Sequence, residues 1–408
     1  MKRIIVIGGG AAGMMAAYTA ATNGASVVLL EKNEKLGKKI YITGKGRCNV
    51  TNDCAPNDFL TKVVNGQKFL TSAIYHFPPE KTKAFLTEHG LKIKTERGNR
   101  VFPESDHASD VNKTFEKALR EAGVEIFFRE QVERVAKTEE GFTVSTQGNV
   151  FSGDCVLVCT GGMSYPSTGS TGDGYRFAKD FSHAVTALKP GLVGLNVKGD
   201  FYKNLQGLTL KNVTLSADVC GKTVYEEFGE MLFTHFGISG PIVLSLSSVL
   251  NKYDLSGVTL HLDLKPALSE EQLDKRILRD FEQYKNKQLV NALVDLLPVK
   301  LIDVVLAKSG VSGKKAVNSV TKEEREKLLK TLKNWEMKVY GFRGFEEAII
   351  TSGGVELKQI HPKTMESKLC KGLYFCGEVL DIDACTGGYN LQIAFSTGYA
   401  AGVACAKE

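Results

Sequence analysis

Residues 3–31 read RIIVIGGGAAGMMAAYTAATNGASVVLLE, and this stretch decides the fold. Arg3–Ile7 is an apolar run of strand length. Ala12–Asn23 is an Ala-rich helical segment stopped by Gly24, and Ser26–Leu30 is a second apolar run ending at Glu31. A strand, a helix and a strand in that order predict a βαβ unit on a parallel sheet. Gly8-Gly9-Gly10-Ala11-Ala12-Gly13 lies at the turn from strand to helix and matches G-x-G-x-x-G. Gly8 permits the tight turn, Gly10 lets a pyrophosphate approach the backbone, and Gly13 lets helix and strand pack closely. The helix N-terminus offers unpaired N–H groups to phosphate. Glu31, 18 positions after Gly13, is placed to accept hydrogen bonds from a ribose diol, and its charge disfavours a 2′-phosphate.

The same turn serves FAD and NAD, so other segments choose between them. Residues 37–52 (GKKIYITGKGRCNVTN) form a Gly- and Asn-rich loop where a plain dehydrogenase would continue with strands and helices. Near the C-terminus a strand-like run, Leu373–Cys376, leads into Gly377-Glu378, then Asp381, Asp383 and Gly387-Gly388-Tyr389-Asn390-Leu391-Gln392 at the start of a final small-residue helix, Leu391–Ala406. A Gly-acid pair after a strand suits the ribityl and pyrophosphate part of FAD. A helix N-terminus beside it favours negative charge on a reduced flavin.

Between these ends, Glu80–His89 and Ser109–Glu121 read as helices closed by Gly90 and Gly123. Val132–Lys137, Phe142–Thr146 and Val150–Ser152 read as a three-stranded meander, and Asp154–Cys159 as a buried strand running into Gly161-Gly162. From about Gly191 the texture changes to β-rich segments (Leu208–Val219, Gly257–Leu264) separated by Gly turns, as in an antiparallel barrel or sandwich. From Ser269 the period becomes helical, with capping-box patterns at Ser269/Gln272 and Thr321/Glu324, and β texture returns after Trp335. The chain therefore reads as one α/β domain (1–190 and 340–408) interrupted by an insertion (191–339) that is barrel-like over 191–268 and mainly helical over 269–339.

The composition, 43% hydrophobic and 24% charged over 408 residues, is that of a globular chain of two or three domains. The net charge of +6 is modest. Residues 269–338 hold 15 Lys/Arg against 11 Asp/Glu, which suits a solvated helical surface better than the dense basic stripe of a nucleic-acid footprint. No apolar run is long enough to span a bilayer, and the three Gly residues after Ile7 would break a signal-peptide core. Nine Cys without a dense framework or C-x-x-C spacing fit reduced thiols in the cytoplasm and argue against a metal centre. The expected partner is a small-molecule substrate.

Four stretches carry a wider resemblance: GKKIYITGKGRCNVTN (37–52), GGMSYPSTGSTGDGY (161–175), FTHFGISGPIVLSLS (233–247) and TMESKLCKGLYFCGEVLDIDACTGGYNLQIAFSTGYAAG (364–402). Along essentially its whole length the chain resembles the HI-type NAD(P)/FAD-dependent oxidoreductases, the BaiN-like flavoproteins. The resemblance implies a glutathione-reductase-like FAD-binding domain carrying an inserted β-barrel with a helical subdomain. It also implies two-electron flavin chemistry, with reduction of an activated C=C bond in a steroid-like, bile-acid-like or other enone as the leading activity. Carried over position by position, it implies FAD contacts at Gly8, Gly10, Ala11, Ala12, Gly13, Glu31 and Lys32, and in the flavin loop at Lys39, Gly44, Gly46, Arg47, Cys48 and Asn49. Further contacts fall at Val132 beside the adenine, at Thr160 and Gly161, and at Gly377, Glu378, Asn390, Leu391 and Gln392. Glu378 stands where many flavoproteins have Asp, which keeps the carboxylate and changes its reach.

The first Gly turn is the sole nucleotide-binding motif in the sequence, so NADH or NADPH would act as a transient electron donor without a domain of its own. Alkene reduction also needs an acid for the α-carbon and a donor to polarise the carbonyl. The polar candidates near Gly-rich turns are Tyr165, His235, Arg343 and Tyr389. His235 also has an ordinary structural reading, and Arg343 either binds an acidic substrate or makes a salt bridge. Two other functions stay open: an RNA-modifying or RNA-binding flavoprotein using the basic helical stretch, and a thiol–disulfide reductase using Cys48 and Cys54. The latter pair has five intervening residues where that class of enzyme uses four.

Overall fold

A computed structural model describes residues 1–407, apart from the side chain of Lys45. The chain divides into two compact units, Met1–Gly191 with Gly344–Glu408, and Leu192–Arg343.

The first unit begins with β1 (Arg3–Ile7), α1 (Ala11–Thr22) and β2 (Ser26–Glu31). After the loop, which contains a short 3-10 helix (Ile40–Gly46), come helices at Gln67–His76 and Pro79–Glu88, then α2 (Ala108–Glu121) and β3 (Glu125–Phe128). The meander follows as β4 (Val132–Thr138), β5 (Gly141–Thr146) and β6 (Val150–Gly153), then β7 (Cys155–Val158) and α3 (Asp173–Asp180). Buried strand β7 is shorter at both ends than the Asp154–Cys159 expected.

In the second unit β8 (Leu195–Val197), β9 (Thr209–Val219), β10 (Lys222–Phe233) and β11 (Gly237–Ser239) precede α4 (Pro241–Leu250). They are followed by β12 (Val258–Asp263), α5 (Glu270–Gln283), α6 (Val299–Ser309), α7 (Lys322–Lys333) and β13 (Trp335–Phe342). The chain then returns to the first unit with β14 (Leu373–Phe375) and α8 (Tyr389–Lys407), the last starting two residues before the expected Leu391.

The parallel sheet of the first unit has the order β14-β7-β1-β2-β3, with Ile4 opposite both Val27 and Cys155. Its central strands are buried on both faces, which explains their unbroken apolar runs. Because β1, β7 and β14 are parallel neighbours, the Gly turns that follow them all emerge at one sheet edge. That edge, at the carboxyl ends of the strands, is where open α/β sheets bind ligands. Helix α8 lies along α1, and its small residues set the distance. A Cβ on Gly398 would stand 2.4 Å from the Ala12 carbonyl oxygen, and one on Gly402 would stand 2.7 Å from that of Ala16.

The second unit is a closed barrel of order β8-β11-β10-β9-β12-β13 with its own core. Trp335 is 1% exposed and packs in that core against Phe233 and Phe201. Both capping boxes form: Ser269 accepts from Gln272 N, and Thr321 accepts from Glu324 N. Residues 241–250, inside the stretch read as β-rich, form α4, whose Ile242, Val243, Leu246 and Leu250 repeat at helical spacing and are buried. Among the described residues no helix is long and apolar enough to cross a membrane.

Candidate active site

The turn after β1 is built as its sequence predicts. A Cβ on Gly13 would stand 1.9 Å from the Gly8 carbonyl oxygen, and one on Gly8, whose φ is +102°, would stand 2.6 Å from the Cys159 oxygen. Gly10 differs: a Cβ there meets nothing within 4 Å, so the space in front of the turn is open. Gly10 is the N-cap of α1 and offers no capping side chain. The first N–H groups of the helix, from Ala11, Ala12 and Gly13, therefore have no intrahelical acceptor and face the site of an anion. Glu31, 6% exposed, accepts from Gly9 N at 2.8 Å through Oε2, and from Asn33 N and Nδ2 at 2.8 and 2.7 Å through Oε1.

The C-terminal motif reaches the same place. A Cβ on Gly377 would stand 2.7 Å from the Ala12 Cβ, so the turn after β14 lies against the start of α1. Gly161, after β7, is bracketed by Ser170 Oγ and Glu378 Oε2, 2.9 and 4.0 Å from its Cβ position. Glu378 gathers a polar cluster: Lys39 Nζ donates to it at 2.8 Å, Ser164 Oγ at 2.7 Å and Thr351 N at 2.8 Å, while Lys39 Nζ also donates to Ser164 Oγ at 2.6 Å. Two buried polar atoms of the expected site, Asn49 Oδ1 and Thr160 Oγ1, have no hydrogen-bond partner. An open Gly turn and uncapped helix amides, with Glu31 at the end of β2, fit the pyrophosphate and ribose of FAD.

Other expected contacts turn out to be used within the protein. The Arg47 guanidinium pairs with Glu96 and Asp106 and stacks on Phe102, 4.2 Å from its centroid. Gln392 is fully buried: its Oε1 accepts from Thr51 and Thr82, and its Nε2 donates to Phe77 O and Ser396 Oγ. Asn390 bonds Ala384 N and O and Cys385 O, holding the preceding loop to α8. Lys32 is held by Thr171 and Asp173. The side chains of all four are thus engaged by protein partners. Cys48 is fully buried at φ +58°, so its thiol is a packing group, and Leu391 packs half-buried against the core. Val132 opens β4 and is buried. Gly44, at φ +57°, packs against Asn49 N and Phe102, and Gly46 takes φ +86° in the same loop.

Of the four catalytic candidates, Tyr165 and Tyr389 lie in the first unit. Tyr389 is buried with its ring edge-on to Phe59, centroids 5.2 Å apart. Tyr165 takes a left-handed backbone (φ 50°, ψ 63°), its N–H bonded to Phe345 O, and a non-glycine residue held there costs about 1–3 kcal/mol of strain. Burial first, and then the Glu347 carboxylate, raise its hydroxyl above the usual tyrosine range. His235 and Arg343 belong to the second unit and meet on one ring. The Arg343 guanidinium lies 4.5 Å from the Phe236 centroid, and the exposed His235 stands edge-on to Phe236 at 5.1 Å. Sequence reasoning missed Asn33, Ser164, Thr171, Asp173 and Thr351; two of these five, Asn33 beside Lys32 and Ser164 beside Tyr165, lie next to residues it did name.

Residues 2–404 match the model of the HI0933-like protein Rossmann domain. The chain belongs to this family. It is 32% identical to a 3-dehydro-bile acid delta(4,6)-reductase of Clostridium scindens, with all of both chains covered. It is 31% identical to a ribosomal RNA dihydrouridine synthase of Haemophilus influenzae, covering 99% of this chain and 98% of that one. Among solved structures it is similar to the 3-ketosteroid delta1-dehydrogenase of Sterolibacterium denitrificans, at 13% identity and a TM-score of 0.53 with both chains fully covered, a likeness of fold. The family places the chain among flavin-dependent oxidoreductases with a Rossmann-type FAD-binding domain, and the second unit adds a closed β-barrel.

Proposed function

We propose that the protein reduces a carbon–carbon double bond conjugated to a carbonyl, with FAD as resident cofactor and NADH or NADPH as visiting donor. The observation that carries this reading is the pair of full-length relatives, whose named substrates differ while the chemistry is shared. A delta(4,6)-reductase of a 3-dehydro-bile acid saturates double bonds in conjugation with a ketone. A dihydrouridine synthase saturates the double bond of a uracil beside its carbonyl. An enone in a steroid-like skeleton and a uracil in RNA are therefore the two substrates to compare.

When bound, FAD supplies the hydride. The rest belongs to the chain. Gly10 and the first amides of α1 would receive the pyrophosphate, and Glu31 would take the ribose diol. Glu378, held by Lys39 and Ser164, takes a ribityl hydroxyl. Tyr165 is the first unit's candidate proton donor: it follows Ser164, whose hydroxyl bonds Glu378, and its backbone is strained into place. Tyr389 keeps its ring in the core against Phe59. His235 and Arg343 are grouped on Phe236 in the second unit.

A thiol–disulfide reaction is disfavoured. Burial pushes the Cys48 thiol up to about 12 and the Cys54 thiol up to about 11, away from the thiolate that such chemistry needs.

The test is anaerobic. Dithionite-reduced holoprotein is mixed separately with a 3-oxo-4-ene steroid and with ribosomal RNA from cells lacking the protein, following flavin absorbance and the saturated product. Reoxidation by either supports the reading and names the substrate. Reoxidation by neither sinks it.

A further inference from the structure

Residues 163–173 leave the turn after β7 and re-enter the fold at α3, and they are pinned along their length. At the first end, Ser164 Oγ is bonded by Lys39 Nζ at 2.6 Å and itself bonds Glu378 at 2.7 Å. In the middle, the Thr168 carbonyl accepts from Asn33 Nδ2 at 3.1 Å. A Cβ on Gly169 would stand 2.6 Å from that nitrogen and 3.1 Å from Lys32 Cε, so the segment lies directly on these two side chains. At the far end, Lys32 Nζ donates to Thr171 Oγ1 at 2.6 Å and to Asp173 Oδ2 at 2.8 Å. Tyr165, Gly169 and Gly172, all at positive φ, bend the segment between its pins.

The middle and far-end pins, Asn33 and Lys32, are the two residues that follow Glu31. Asn33 Nδ2 divides itself between the Thr168 carbonyl and Glu31 Oε1, 2.7 Å away, so the segment and the ribose-binding carboxylate share one amide. The Lys32–Asp173 pair, each side chain 22% exposed, ties the same segment down one residue earlier. Both contacts join residues about 135–141 positions apart in sequence, so neither follows from local chain geometry.

We propose that Lys32, Asn33 and Asp173 are positioning residues, which hold residues 163–173 as a strap against the Glu31 end of the cradle and thereby slow the release of FAD. The proposal rests on the assignment of FAD to that cradle. It reverses the role given to Lys32 by its motif: the lysine acts on the strap, and through the strap on the cofactor.

The test uses purified holoprotein and measures FAD release by the recovery of free-flavin fluorescence after dilution. Asp173→Asn and Lys32→Met are expected to release FAD roughly fivefold faster than the wild type, the scale of a partly exposed ion pair. The exchanged pair, Lys32→Asp with Asp173→Lys, is expected to restore the rate to within about twofold, which a loss of general stability would not do. Added KCl should speed release from the wild type and leave Asp173→Asn unchanged, because screening acts on the pair. Wild-type release rates in both single variants, with FAD tightly held, would overturn the strap and leave the cofactor assignment standing. Faster release without rescue by the exchanged pair, together with an equal loss of thermal stability in the apoproteins, would also overturn it. A wild-type protein that binds no FAD overturns the cofactor assignment and the strap with it.

Discussion

Thr51 and Gln392, 341 positions apart in the sequence, are joined by a 2.6 Å hydrogen bond from the threonine hydroxyl to the glutamine side-chain oxygen. The same oxygen accepts from Thr82, and the amide nitrogen donates to Phe77 O and Ser396 Oγ, all in a fully buried setting. Removing the amide strands several buried polar groups at once. Gln392→Leu is therefore expected to cost about 2–4 kcal/mol, read as a lowered urea midpoint of the apoprotein. FAD affinity, measured where the variant is folded, should change less than about threefold, since the amide has no group left for a ligand. An affinity that collapsed while the urea midpoint held would show the side chain to be a ligand after all.

The Gly turn separates packing from binding in two substitutions. Gly10 has open space at its Cβ position and an ordinary extended backbone (φ −80°, ψ −172°), so Gly10→Ala should fold with the wild-type melting temperature. Its methyl group fills the approach to the helix amides, and FAD affinity is expected to fall at least about tenfold. Gly13→Ala places a methyl 1.9 Å from a backbone oxygen that cannot rotate away, and should cost about 1–3 kcal/mol of stability even without cofactor. Melting the two apoproteins side by side, then titrating each with FAD, checks both. Equal destabilisation by the two would show that the space at Gly10 is not open.

Much of this fold was legible in the sequence, and the reason is periodicity. β1, α1, β2, the meander and the capping boxes at Ser269 and Thr321 each carry a pattern several residues long. What stayed hidden was short or long-range. Thr51–Asn52 and Val63–Asn65 are strands of two and three residues, and the second pairs with Asp383–Ala384, far beyond any local pattern. α4 carried no separate signal because its run PIVLSLSSVL is apolar on both periods, so length alone separates helix from strand there. For the site, the motifs name Glu31, Thr160, Gly161 and Glu378, whose turns the fold brings to one sheet edge, but residue type alone does not tell which side chains are taken up by protein partners. Arg47, Lys32, Asn390 and Gln392 lie in motifs rich in ligand contacts and spend their side chains on protein partners. A residue type fixes which hydrogen bonds are available; only the packed chain fixes where they go.

His183 should make the protein acid-sensitive. Its imidazole is 3% exposed, bonded to Ser367 Oγ at 2.9 Å through Nε2 and packed on Phe375, and burial lowers its pKa from the usual value. A histidine held neutral when folded and free to protonate when unfolded contributes stability that is complete above the unfolded value near 6.5. That stability is lost as pH falls below it toward the folded value, at up to about 1.4 kcal/mol per pH unit. Urea midpoints at pH 7.5 and pH 5 should therefore differ more in the wild type than in His183→Asn. Parallel pH dependence in both proteins would assign the acid sensitivity elsewhere.

Tyr165 offers the sharpest test of the chemistry. Its backbone strain persists only because the surrounding contacts hold it, among them the bond from its N–H to Phe345 O. The hydroxyl, raised by burial and by Glu347, stays protonated through the neutral range. A group that delivers a proton to the α-carbon, and does nothing else, should be separable from cofactor binding. Tyr165→Phe removes only the hydroxyl, so FAD affinity and reduction of the bound flavin by NADH or NADPH should stay within about twofold of the wild type. Reoxidation by the accepting substrate should slow by about 10²–10⁴-fold, the span of a general acid. The same experiment with Tyr389→Phe is the control, because that ring is packed on Phe59 and is expected to serve the core more than the reaction. Stopped-flow absorbance resolves the two half-reactions. A Tyr165→Phe variant that reoxidises at the wild-type rate would remove this residue as the acid.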